Sequence, residues 1–100
     1  MQAKKALICL HALAQESRLA VFRLLVEEGG KEGLCAGTIA EKLSIPPTTM
    51  SFHLSQLKHA GLIDSHKEGR LVIYNADRKK VKKLASYLTG KSPAVDKYDL

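Results

Sequence analysis

Two adjacent prolines, Pro46 and Pro47, divide the middle of the chain into a short and a longer helical segment. Before them, apolar residues recur on one helix face, which predicts a helix over residues 36–43. Proline is tolerated in the first turn of a helix and fixes φ there, so the pair predicts a tight entry into a second helix that runs to about residue 60. Two helices joined by so tight a turn indicate a helix-turn-helix unit.

Three further helices are predicted around this pair. Residues 4–13 are apolar on almost every side, which demands burial against more than one neighbour. Residues 17–28 have a broad apolar face, and Ser17 is expected to cap their N-terminus. Residues 78–89 repeat apolar side chains at helical spacing beneath a lysine-rich face, with Asp77 as the expected cap. The first and last helices of the chain therefore need apolar partners.

A β-hairpin is predicted between the fourth and fifth helices. Residues 62–66 and 71–76 have the composition of two short strands, separated by a turn at residues 67–70. Earlier in the chain, Gly33 is expected to keep its loop mobile. The predicted order is ααααββα, a mainly α fold with a β-hairpin wing, which is the winged helix-turn-helix order. In helix-turn-helix proteins, the second helix of the pair enters the DNA major groove.

The length and composition of the chain indicate one domain. Residues 1–90 are expected to form a winged-helix domain for DNA binding and dimerisation, and residues 91–100, which lose apolar periodicity, a flexible tail. Sixteen Lys and Arg against ten Asp and Glu give a net charge of +6. That charge fits a polyanionic partner or a surplus that only favours solubility. The apolar run at residues 6–14 is too short to span a membrane and no secretion signal follows it, so a cytoplasmic location is expected.

The outward face of the fourth helix carries the candidate DNA contacts. At about 100° per residue, a core-facing Met50 puts Leu54 and Leu57 on the same side and leaves polar side chains outside. Hydroxyl and amide groups there can bond base edges or phosphates. Phe52 can meet thymine methyls or tuck under the hairpin, and His53 can face DNA or the helix packing. The candidates are Thr48, Thr49, Ser51, Phe52, His53 and Gln56.

Two cations flank the predicted hairpin tip. Lys67 and Arg70 lie on either side of Glu68 and Gly69. From this position a wing can reach phosphates or enter the adjacent minor groove, and a solvated turn is the alternative. Arg70 is the better candidate, because a guanidinium suits both phosphate oxygens and narrow minor grooves.

Several segments follow one another at a characteristic spacing: residues 13–19 (LAQESRL), 39–43 (IAEKL), 50–54 (MSFHL), 57–63 (LKHAGLI) and 68–74 (EGRLVIY). Together they resemble the ArsR/SmtB family of metal- and stress-responsive repressors, over about residues 10–76. The resemblance implies a dimer joined through the first and last helices and an operator bound by two recognition helices. It also implies release of the DNA when an effector binds.

The sensing sites that this resemblance implies are mostly missing from the sequence. A zinc site on the last helix needs His, Asp or Glu, and residues 78–88 contain none. An arsenite or cadmium site in the third helix needs a Cys-x-Cys pair, and residues 34–37 supply only Cys35. The paired cysteines that an arsenite-repressor branch carries past the last helix have no counterpart in residues 88–93. Cys9 and Cys35 remain, as a thiophilic-metal or thiol-redox sensor or as two inert core cysteines.

The sequence therefore predicts a transcriptional repressor that binds double-stranded operator DNA as a homodimer, with no membrane partner and no resident cofactor. A winged-helix module for protein interaction is the alternative, against which the polar and basic fourth helix and wing argue. No cysteine is paired with a base and an orienting group in a recognisable pattern, so an enzyme is not expected.

Overall fold

The computed structural model describes residues 1–91, so residues 92–100, most of the predicted tail, lie outside the described residues. The helices are α1 (Ala3–Leu13), α2 (Glu16–Leu24), α3 (Ala36–Leu43), α4 (Pro47–His59) and α5 (Arg78–Leu88). The strands are β1 (Leu34–Cys35), β2 (Ile63–Glu68) and β3 (Leu71–Ala76). The predicted order is confirmed, with one additional strand before α3 and a π-helical turn, Leu25–Gly29, after α2.

The core lies where α1, α2 and α4 pack against one another. The inward face predicted for α4 is confirmed, because Met50, Leu54 and Leu57 are all buried. Ile63 from β2 and Leu84 from α5 close the same cluster. Burying a side chain of this size contributes about 1.5–3 kcal/mol, so these contacts fix α4 firmly on the other helices.

α1 is less buried than its composition predicts. It packs on the rest of the chain through a narrow face of small residues, Ala6, Cys9 and Ala12. Leu7 and Ile8 remain 61% and 52% exposed. The apolar character of α1 is thus only half satisfied within one chain, and its outer face is free to meet another surface.

The start of α2 differs from the prediction. Gln15, not Ser17, caps the helix: its side-chain oxygen accepts a hydrogen bond from the backbone N–H of Arg18 at 2.8 Å. Gln15 has the extended backbone of a capping residue, whereas Ser17 already lies inside the first turn. The predicted cap is therefore wrong by two residues, because a glutamine side chain is long enough to reach back to the free N–H.

A third strand, β1, was not predicted. The sheet has the order β1-β3-β2, with Leu34 opposite Tyr74 and Cys35 opposite Ile73 in antiparallel register. Gly33 precedes this strand and donates its N–H to Gly29 O at 2.8 Å. The residues after Gly33 therefore form a strand and not the loop that was expected there.

The hairpin is longer and its turn tighter than predicted. β2 and β3 pair from Ile63 opposite Ala76 to Glu68 opposite Leu71, which leaves only two residues at the tip. Gly69 there has a φ of 62°, the left-handed conformation that two-residue hairpin turns require. Lys67 consequently belongs to the strand and not to the turn.

α5 begins as predicted. The Asp77 carboxylate accepts a hydrogen bond from the backbone N–H of Lys80 at 3.0 Å and caps the helix. The Arg78 guanidinium donates to the Val26 carbonyl at 2.8 Å, which ties the start of α5 to the π-helical turn. Within residues 1–91, every helix is too short or too polar to cross a membrane.

Candidate nucleic-acid interface

A rigid turn sets the angle between α3 and α4. Ser44 adopts the left-handed conformation, with φ 54° and ψ 42°. Its N–H donates to Glu41 O at 3.2 Å, and the N–H of Ile45 donates to Ala40 O at 3.0 Å. These bonds satisfy carbonyl groups that the end of a helix leaves free. Pro47 then begins α4, so the turn gives α4 one fixed orientation on the body of the protein.

The outer face of α4 is polar except for one aromatic ring. Phe52 is 58% exposed, so the structure places it outside and not under the hairpin. Ser55, which was not among the candidate contacts, is exposed as well. The exposed candidates are Thr48, Thr49, Ser51, Phe52 and Gln56. This arrangement offers short hydroxyls, an amide and an apolar ring to one partner surface.

His53 lies at the edge between the outer and the core-facing side of α4. It is only 7% exposed, and its Nδ1 has no hydrogen-bond partner within residues 1–91. The ring lies edge-on to Phe52, with 6.1 Å between the centroids. Burial and, to a smaller extent, the charge of Arg18 lower the pKa of His53. Of the two interpretations that the sequence allowed for His53, the structure matches helix packing.

This burial makes the stability of the protein depend on pH. Because the pKa of His53 is lower in the folded chain than its ordinary 6.5, the unfolded chain binds a proton first as the pH falls. The free energy of unfolding should decrease below pH 6.5 and level off once the pH is below the folded pKa. Urea midpoints at pH 7.5 and 5.5 should show a smaller decrease for His53→Gln than for the native chain. The exposed His59→Gln should keep the full decrease, and an unchanged decrease in His53→Gln would contradict the assignment.

The wing presents its cations beside α4. Lys67 and Arg70 are both exposed, one at the end of β2 and one in the turn. Lys58 Nζ donates to Ser65 Oγ at 2.6 Å, which links α4 to β2. Leu71 next to the turn is also exposed, and the sequence did not single it out because it begins an unbroken apolar run that is typical of a buried strand. The bond between Lys58 and Ser65 joins the last turn of α4 to the strand that leads to the two cations.

The two cysteines have different surroundings. Cys9 is buried under α4, its Sγ 3.8 Å from Ala60 O, and burial raises the pKa of its thiol. Cys35 lies at the start of α3, its Sγ 3.1 Å from Thr38 Oγ1, and that hydrogen bond, with backbone hydrogen bonds, lowers its pKa. Both thiols are free. Within residues 1–91, no three His, Cys, Asp or Glu side chains are grouped so that they could hold a metal ion.

Cys35 should accordingly be the reactive thiol. We expect the rate of its alkylation by iodoacetamide, followed by intact mass, to rise with pH through a midpoint below 9.0, because the thiolate is the nucleophile. Thr38→Val should raise that midpoint and slow the reaction at neutral pH, whereas Thr38→Ser should restore it. Cys9 should stay unmodified until the chain unfolds, and alkylation of Cys9 as fast as that of Cys35 would contradict this picture.

Comparison with known protein families gives a match to a helix-turn-helix domain over residues 13–66. One relative is the cadmium resistance transcriptional regulatory protein CadC of Listeria innocua, 42% identical over 62 residues, which are 62% of this chain and 50% of that protein. Another is the transcriptional activator HlyU of Vibrio cholerae, 30% identical over 84 residues, which are 84% of this chain and 74% of that protein. The chain spans about half the length of the CadC relatives.

The solved structures with a similar fold are also described as transcriptional regulators. An ArsR-like transcriptional regulator from Rhodococcus superposes with a TM-score of 0.76 at 26% identity, covering 87% of this chain and 78% of that one. The homodimeric winged helix-turn-helix DNA-binding domain of a possible ArsR-family regulator from Mycobacterium bovis superposes with a TM-score of 0.70 at 25% identity. That match covers 87% of this chain and 77% of the mycobacterial one.

Proposed function

Because this chain belongs to the ArsR family of winged helix-turn-helix transcriptional regulators, we propose that it is a repressor that binds operator DNA as a homodimer. The observation that carries the proposal is the exposed polar face of α4, together with two exposed cations on the wing. A face with this chemistry gains nothing for folding, and hydroxyls, amides and cations are the groups that bond base edges and phosphates.

The proposed contacts divide into two kinds. The exposed residues of α4 read bases in the major groove, and Gln56, whose amide can pair with adenine, has the most specific chemistry among them. Phe52 supplies apolar contact with thymine methyls. Lys67 and Arg70 hold the DNA backbone. His53 is left out of this set, because a buried ring cannot reach a base edge without unpacking α4.

The proposed dimer is joined through α1 and α5. Besides Leu7 of α1, described above, Leu10 and Leu88 are large, apolar and exposed. A two-fold axis through this face would bury these side chains in both copies. It would also place the two copies of α4 on one side of the dimer. The solved domain from Mycobacterium bovis is homodimeric, which supports a dimer for this chain as well.

The test is fluorescence anisotropy with a labelled DNA fragment from upstream of the gene, at two salt concentrations. Gln56→Ala should weaken binding to the specific fragment by about 10- to 100-fold and leave binding to random DNA unchanged. Arg70→Gln should weaken binding to both and reduce the slope of log K against log salt by about 1.

Arg23→Gln is the matched control, since this arginine is exposed on α2 and pairs with Glu27 away from the proposed interface. It should leave both affinities and the salt slope close to the native values. The absence of specific binding even at low salt would contradict the proposal and favour the protein-interaction module.

A further inference from the structure

A cavity of about 360 Å³ opens between α1, the first turn of α2 and the C-terminal half of α4. Its volume is in the range of sites that bind small organic molecules. The apolar part of its lining includes Leu7 and Ile8, and the polar part consists of Arg18, His11, His59 and Gln56. Among the described residues, no acidic side chain lines this cavity.

Arg18 carries the permanent charge of the lining that residues 1–91 provide, and its guanidinium is held in place. Its Nε donates to Ala12 O at 2.7 Å, a part-buried hydrogen bond that fixes the direction of the group. Within the described part of the chain, its two terminal nitrogens make no hydrogen bond and no carboxylate lies within ion-pair distance. The charge of Arg18 also contributes to the lowered pKa of His53, so the electrostatic effect of Arg18 extends to this buried side chain of α4.

A partly buried guanidinium without a counter-ion is an uncompensated charge. Arginine binds planar carboxylates with two parallel hydrogen bonds, and the two terminal nitrogens are the donors for that geometry. The ring nitrogens of His11 and His59 can donate further hydrogen bonds to an anion in the same cavity. The apolar wall formed by Leu7 and Ile8 suits a carbon skeleton more than a hydrated inorganic ion.

We propose that this cavity binds a small organic carboxylate with an apolar body, its carboxylate on Arg18 and its body against Ile8, next to the Leu7 side chain that the proposed dimer covers. The site connects the α1 surface proposed for dimerisation with Gln56, proposed to read DNA. A ligand there has contacts with both elements and would favour one arrangement of α4 relative to the dimer axis. This regulatory consequence rests on the proposed function, whereas the binding itself does not.

The binding test uses benzoate and its neutral analogue benzamide, titrated into the ¹⁵N-labelled full chain without DNA. Benzoate should shift the amide resonances of residues around the cavity in a saturable way, and benzamide should bind at least tenfold more weakly. Equal affinity for the two compounds would overturn the role of the carboxylate. Inorganic phosphate that binds as tightly as benzoate would overturn the role of the apolar body.

Two variants connect the binding to Arg18. Arg18→Gln should weaken benzoate binding at least tenfold, and Arg23→Gln, on the same helix but outside the cavity, should leave it unchanged. Since Arg18→Gln also removes the bond to Ala12, its fold is checked by a thermal melt, and the benzoate-to-benzamide comparison on the native chain stands without it. No shift with either compound would overturn the proposal and indicate that side chains of a second copy fill the cavity.

A second measurement separates this site from the DNA-binding function. Saturating benzoate should change the affinity for the upstream DNA fragment at least fivefold in the native chain and not in Arg18→Gln. Benzoate binding in a protein that shows no specific DNA binding would support the cavity and contradict the proposed function. Benzoate binding that leaves a measurable DNA affinity unchanged would overturn the coupling between cavity and α4.

Discussion

Replacement of Gly33 by alanine is expected to lower the free energy of unfolding by about 3 kcal/mol, a large loss for a domain of this size. Gly33 has a φ of +81°, where an L side chain is strained. A Cβ there would also lie 2.5 Å from Tyr74 O and 2.7 Å from Asn75 Nδ2. The first of these atoms belongs to the backbone of β3, which the sheet prevents from moving away. Urea denaturation monitored by circular dichroism measures the change.

Two other glycines separate the causes of this loss. Gly37 lies in α3 with open space around it, so Gly37→Ala should stabilise the chain by about 0.5–1 kcal/mol. Gly69 has a φ of 62°, but a Cβ added there would meet no described atom within 4 Å. Gly69→Ala should therefore cost only about 1–2 kcal/mol, from backbone strain alone. A loss at Gly33 no greater than that at Gly69 would show that the approach of β3 is not rigid.

The same glycine shows why part of the fold was not predictable from sequence. The helices could be predicted, because their apolar residues repeat within a few positions and the prolines mark where α4 begins. β1 has two residues and therefore no period, and its partner strand β3 lies far away in the chain. Asn75 Nδ2 reinforces this approach by donating to Lys31 O at 3.1 Å. Such a contact exists only after the hairpin has folded back on the end of α2.

Part of the candidate site could likewise be predicted from the sequence, and part could not. With Met50 taken as core-facing, the turn of about 100° per residue was enough to place Leu57 inside and Thr48 and Gln56 outside. It was not enough for His53, which falls at the edge between the two faces, where only packing against neighbouring helices decides. The cavity was beyond the sequence altogether, because Arg18, His11 and His59 come from three helices whose angles are set by the core.

The second large effect is expected from charges on the proposed dimer surface. Leu7→Glu in α1 and Leu88→Glu in α5 replace side chains that are 61% and 57% exposed in the single chain. Neither change should unfold the chain, because neither side chain belongs to its core. In the dimer each would bury an unpaired carboxylate next to its symmetry mate, which costs several kcal/mol. Both variants should therefore be monomeric in light scattering at concentrations where the native chain is dimeric.

Loss of the dimer should carry over to DNA. A monomer has one α4 and one wing for an operator built for two, so we expect both variants to bind the specific fragment about 100-fold more weakly, equivalent to about 2.7 kcal/mol. Leu19→Glu is the matched control, since Leu19 is 45% exposed on α2 and the variant adds the same charge outside α1 and α5. It should remain dimeric and lose little affinity. If Leu19→Glu dissociated the dimer while Leu7→Glu and Leu88→Glu left it intact, the interface would have to lie on α2, and the two copies of α4 would be placed differently on DNA.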